Sequence, residues 1–91
     1  MLFVIHCIDK KDNLQVRLDN RSAHIEYLKS YGEKLYAAGP TMTEDETMNG
    51  SVIILDLEGR AAAEAFAAKD PYNKAGLFDS VSISAWKKVL P

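Results

Sequence analysis

Ser51-Val52-Ile53-Ile54-Leu55-Asp56-Leu57 is the stretch on which the fold turns. Its apolar, mostly β-branched residues follow the turn pair Asn49-Gly50 and stop before Gly59, which predicts a strand. Ile53 and Leu55 project to one side and Val52 and Ile54 to the other, so both faces are apolar and the strand belongs in the middle of a sheet. Leu2-Phe3-Val4-Ile5-His6-Cys7-Ile8 has the same character, with Phe3, Ile5 and Cys7 opposing Val4 and Ile8. A second central strand is expected there.

Two weaker strands flank this pair. Ser80-Val81-Ser82-Ile83-Ser84-Ala85-Trp86 alternates polar and apolar residues as a half-buried strand does. Leu35-Tyr36-Ala37-Ala38 predicts a short strand stopped by Gly39-Pro40, with Thr41 to Asn49 as a loop or hairpin connection. Between the first two strands, Asp12 and Gln15 have capping-box spacing and should open a helix. Leu14, Leu18, Ile25 and Leu28 fall near helical spacing, with Arg21 in the missing apolar position, so one long helix is expected up to the capping Gly32. Asp19-Asn20 is the one place where it could kink or divide. Arg60 to Ala68 predicts a second, alanine-rich helix anchored by Phe66 and ended by Asp70-Pro71, because proline disfavours helical geometry in the residue before it. Pro71 to Phe78 leaves room for one irregular turn. The order β-α-β-β-α-β is that of the α+β, ferredoxin-like fold, a four-stranded antiparallel sheet with both helices on one face.

Size and composition narrow the function classes. The chain has 91 residues, enough for one hydrophobic core, so a single domain is expected over 1-91. A net charge of −2 without long runs of either sign argues against a nucleic-acid partner. Cys7 is the only cysteine, which excludes an internal disulfide and a Cys-x-x-Cys metal or redox site and fits a reducing, cytoplasmic setting. The apolar start is interrupted by His6, has no basic leader and is far shorter than the roughly 20 residues a membrane span needs, so no membrane association is expected. With helices on one face only, the second apolar face calls for a cover, and a second copy of the chain is the simplest one. A homodimer is therefore expected.

Few residues suit chemistry. His24 lies three residues after Arg21 on the long helix, which places both on one helix face. Imidazole is the side chain whose ordinary titration range lies nearest neutrality, although by spacing alone His24 reads first as a solvated helix residue. Asp70 before Pro71 reads by itself as a helix stop; beside an imidazole, a carboxylate would fix its tautomer. His6 reads as a buried strand histidine satisfied by a neighbour, with the pocket or an interface as its second reading, and Cys7 as a core thiol. Gly39-Pro40 and Gly50-Ser51 are either turn chemistry or places where backbone N–H groups meet a ligand oxygen. Tyr27, Tyr31, Tyr36, Tyr72, Phe78 and Trp86 supply aromatic surface for a planar ligand or for the core. Glu44-Asp45-Glu46 lacks metal-site spacing.

Read together, Arg21-Ser22-Ala23-His24, Ala38-Gly39-Pro40, Gly50-Ser51, Asp70-Pro71-Tyr72 and Lys74-Ala75-Gly76-Leu77-Phe78 resemble the YCII-related (YciI-like) family over nearly the whole chain. The resemblance implies a dimeric α+β barrel assembly, with His24 and Asp70 as the catalytic pair facing a pocket. It also implies proton-transfer or elimination chemistry on small hydroxylated or chlorinated ring compounds; muconolactone isomerases and small quinol-type monooxygenases belong to the wider group. The expected function is a small enzyme without cofactor or metal, binding its small-molecule substrate through Arg21, Gly39, Pro40, Ser51, Tyr72 and Phe78. A dimeric small-molecule binding module without turnover is the alternative from a different class.

Overall fold

Apolar alternation in the two central strands sets the layers of the molecule. The computed structural model describes every residue from Met1 to Pro91. In chain order it contains β1 (Leu2–Asp9), α1 (Leu14–Lys29), a 3-10 turn (Gly32–Lys34), β2 (Leu35–Met42), β3 (Met48–Asp56), α2 (Arg60–Lys69), α3 (Pro71–Lys74) and β4 (Phe78–Trp86). The sheet order is β2-β3-β1-β4, antiparallel throughout, so the strands that are apolar on both sides are the central ones. Ile5 pairs with Ile53 and Phe3 with Leu55, and these side chains meet Leu28, Ala63, Phe66 and Leu77 in one core. Ala63 is fully buried, and its small side chain lets α2 lie close to the sheet. No helix is long and apolar enough to cross a membrane.

Several local expectations are corrected. Gly39-Pro40 does not stop the second strand; β2 runs through both residues to Met42, with Pro40 opposite Ser51. Proline is tolerated because β2 is an edge strand, whose outward N–H has no ladder partner to lose. Asp12 does not cap α1: it adopts a left-handed φ of 60°, Asn13 takes the cap position, and the Gln15 amide bonds Asp19 instead. The helix passes through Asp19-Asn20 unbroken because the Asn20 amide donates to the Val16 carbonyl at 2.8 Å and stays within the turn. It ends at Lys29, and Gly32 opens the 3-10 turn rather than capping the helix. The expected apolar stripe is also rotated. Leu14 and Leu18 are 40% and 46% exposed, while α1 buries Arg17, His24 and Leu28.

The helix-free face carries Val4, Val52 and Ile54 half-buried and Ile8 and Trp86 exposed. His6 lies on this face between Val52 and Ser82 and is exposed, not buried and satisfied as the strand pattern suggested. Alternation decides this: Phe3, Ile5 and Cys7 take the covered side, so His6 must take the other.

Gly50 fixes how closely β3 and β1 approach at the end nearest α1. A Cβ there would collide with the Cys7 carbonyl oxygen and lie 2.6 Å from Thr41 Oγ1. Only glycine fits this approach, which sets the position of Ser51 beside it.

Candidate functional site

Arg17, Arg21, His24 and Leu28 are spaced by four, three and four residues, so they line one side of α1. That side faces β2 and β3 across a cleft of about 200 Å³, with Ala38, Gly39 and Pro40 on one strand, Ser51 and Ile53 on the other, and Tyr72 of α3 at its end. Two buried polar pairs sit in its walls.

The first pair joins α1 to α3. His24 Nδ1 and Asp70 Oδ1 are 2.8 Å apart, with the carboxylate 1% exposed and the imidazole 9% exposed. Asp70 precedes α3, and its Oδ1 also accepts the Tyr72 backbone N–H at 2.9 Å, with Pro71 at the first helical position. The Asp-Pro sequence that ends α2 thus aims a carboxylate into the interior. A carboxylate only accepts, so Nδ1–H is the donor and the lone pair of the neutral ring lies on Nε2. Every fully buried side-chain nitrogen or oxygen has a partner, and Nε2 has none within the protein, so it is open to the cleft that His24 lines. Tyr72 stacks on the imidazole at 3.9 Å between centroids and 15° between planes, fixing the ring from its flat side.

The second pair joins α1 to β1. Arg17 Nε donates to Asp9 Oδ2 at 2.8 Å and Nη2 to Asp9 Oδ1 at 3.0 Å, a two-point clamp between nearly buried groups. Nη2 also donates to the Gly50 carbonyl at 2.8 Å and to Ser51 Oγ at 2.9 Å. Burial opposes the Arg17 charge, but the bonds and charge of Asp9 outweigh it and hold the guanidinium's pKa above its usual value. The guanidinium lies 4.6 Å from the Tyr72 ring centre, so this ring contacts both Arg17 and His24. Burial raises the Tyr72 pKa against the opposing charges of Arg17 and Arg21, and its phenol is neutral at physiological pH. Arg21 stands exposed at the cleft mouth without an ion pair.

Of the residues expected from sequence, His24, Asp70, Arg21, Gly39, Pro40, Ser51 and Tyr72 converge here. Phe78 does not line the cleft; it lies in the core with its ring 6.1 Å from Tyr72 and edge-on to it, supporting the tyrosine from behind. Arg17 and Asp9 were not singled out. The four-three-four spacing that joins Arg17 to His24 was the available signal, masked by the competing Leu14 and Leu18 pattern. Cys7 is inert: burial first, then the Asp70 and Asp9 charges, push its thiol up to about 12.

Residues 1–87 match the family model described as the YCII-related domain. The chain belongs to the YCII-related family. It is 38% identical over 97 aligned positions to Protein YciI of Escherichia coli O6:H1, covering 98% of this chain and 99% of that protein. Among solved structures, it is 39% identical to 5-chloro-2-hydroxyhydroquinone dehydrochlorinase (TftG) of Burkholderia phenoliruptrix AC1100, determined in complex with 2,5-dihydroxybenzoquinone. That match has a TM-score of 0.89 and covers 96% of this chain and 94% of TftG. An antibiotic biosynthesis monooxygenase shares the fold at a TM-score of 0.60 and 15% identity, covering 99% of this chain and 100% of that one. The YCII-related fold is thus the ferredoxin-like α+β fold expected from the strand pattern.

Proposed function

We propose that this protein is an acid–base enzyme acting on a small hydroxylated ring compound, with His24 as its catalytic base and acid and Asp70 as the residue that positions it. The observation that carries this reading is the 2.8 Å bond from His24 Nδ1 to buried Asp70, which leaves Nε2 facing the cleft. Nε2 takes a proton from a ring hydroxyl as the O–H electron pair becomes part of a carbonyl. The same proton returns to a ring carbon, whose double-bond pair accepts it, giving the keto tautomer. Where that carbon carries a leaving group, a second hydroxyl proton passes to the again-neutral Nε2, its O–H pair forms a second carbonyl, and the displaced ring pair expels the group as an anion with its bonding pair. Asp70 supports the imidazolium that exists between the two transfers. Arg21, unpaired at the mouth, draws in an anionic or phenolate-bearing compound.

The likeness to TftG supports chlorinated hydroxyhydroquinones as test compounds and 2,5-dihydroxybenzoquinone as a binding probe. Chloride release from 5-chloro-2-hydroxyhydroquinone is expected of the wild-type protein and should fall about 10²- to 10⁴-fold in His24→Ala, the usual range for a positioned general acid–base. A folded His24→Ala protein with full turnover would contradict the catalytic role. Wild-type protein that binds the quinone and returns every test compound unchanged would favour a binding module.

A homodimer completes this reading. Val4, Val52, Ile54 and Trp86 on the helix-free face meet their counterparts in a second copy, as in a dimeric α+β barrel. Ile54→Lys should yield monomers in sedimentation velocity, and an unchanged dimer would place the contact elsewhere.

A further inference from the structure

Ser51 is 2% exposed and lies in the cleft wall on the helix-covered side of β3. Its Oγ has one hydrogen-bond partner, Arg17 Nη2 at 2.9 Å. A guanidinium has no acceptor, so Arg17 must donate and the serine's own O–H hydrogen remains unspent. A buried donor without an acceptor is costly, and an acceptor can reach it from the cleft that Ser51 lines. Oγ is held in place as well: Arg17 is clamped by Asp9 through two bonds, and Gly50 sets the strand position beside it.

We propose that the Ser51 hydroxyl, aimed and polarised by Arg17, donates a hydrogen bond to an oxygen of the bound ring compound. The ligand class narrows accordingly to compounds that carry a carbonyl or phenolate oxygen in addition to the hydroxyl facing His24. Ser51 is then a substrate-binding residue and Arg17 a positioning residue acting through it. Donation from a cation into Oγ strengthens donation out of it, because hydrogen bonds in a chain polarise one another. Asp9 neutralises the cation, so the chain Asp9–Arg17–Ser51 offers a strong neutral donor where negative charge grows as His24 removes a proton. This inference rests on the reading of the cleft as an acid–base site.

The test is titration of wild-type, Ser51→Ala, Ser51→Thr, Arg17→Lys and the doubly substituted Arg17→Lys/Ser51→Ala proteins with 2,5-dihydroxybenzoquinone, followed by calorimetry and visible absorbance, with folding checked by circular dichroism. Ser51→Ala should weaken binding about 10- to 100-fold, as expected for a lost bond to a charged or strongly polarised oxygen, and should shift the bound quinone's absorption band. Ser51→Thr, which keeps the hydroxyl, should bind at least as tightly as Ser51→Ala and retain the wild-type band. Arg17→Lys should weaken binding in the wild-type background and add no further loss once Ser51 is alanine, the non-additivity expected when one residue acts through another. Ser51→Ala protein that binds as wild type does overturns this inference while leaving the role of His24 standing. Wild-type protein with no affinity for the quinone overturns both.

Discussion

The two buried pairs in the cleft share a helix, a neighbouring tyrosine ring and a similar degree of burial, yet they are built for different work. In the Arg17–Asp9 pair both carboxylate oxygens are engaged by the guanidinium, which also ties the Gly50 carbonyl and Ser51. In the His24–Asp70 pair one ring nitrogen is bound and the other is left open. A pair with its charges tied on both sides holds elements together. A pair with a free lone pair in a cleft can exchange a proton. On the proposed reading, the same α1 face carries a clamp at Arg17 and, about two turns away, the proton-transferring His24, and the clamp fixes part of the wall that His24 faces.

Substitutions separate these roles. Asp70→Asn keeps an oxygen for the Tyr72 N–H but loses the charge that supports the imidazolium; turnover should fall at least about 10²-fold while chemical denaturation shifts little. Arg17→Met should show the reverse emphasis in stability, losing about 3–5 kcal/mol in urea unfolding because it strands the Asp9 carboxylate in the interior. If the two variants were equally unstable, the contrast between clamp and reactive pair would collapse. Gly50→Ala comes next: its Cβ meets backbone, so β3 must shift, at a cost of about 1–3 kcal/mol, carrying Ser51 with it. Quinone affinity measured on the same variant sharpens the comparison, since movement of the clamped wall should weaken binding without any cleft side chain having been removed.

A last effect shows only at alkaline pH. Cys7 titrates at about 12 in the folded protein against 9.0 ordinarily, and Tyr72 is also raised. Above about pH 9 the unfolded chain holds fewer protons at Cys7 than the folded one, so stability should decline with rising pH between about 9 and 12 and be insensitive to this thiol below that window. Urea unfolding of wild-type and Cys7→Ala proteins across this range checks it, the variant showing a shallower decline. An identical slope in both would remove the thiol from the explanation.

The layers were legible because Ser51 to Leu57 and Leu2 to Ile8 are apolar on both sides, a pattern that suits central strands. Edges were less legible, since Pro40 is a breaker in general but tolerable on β2, where neighbours on one side are absent. His24 and Asp70 could be named from the combined family pattern, but not brought together: they are 46 residues apart, and only the packing of α1 against α3 closes that distance. Arg17 was hidden for a related reason. A charged residue on a buried helix face makes sense only once its partner, Asp9 on another element, is seen. The exposed Leu14 and Leu18 imitate a core stripe because apolar spacing records what could be buried, not which face a buried ion pair has turned inward.

Nitrogen-15 NMR of the His24 imidazole, at a pH where the ring is neutral and assigned by comparison with His24→Gln, reads the feature on which the chemistry depends. The tautomer protonated at Nδ1, with an unprotonated Nε2 whose resonance moves when 2,5-dihydroxybenzoquinone binds, is the expected result. A neutral ring protonated at Nε2, unaffected by the ligand, would mean that Asp70 does not prepare this histidine to accept a proton.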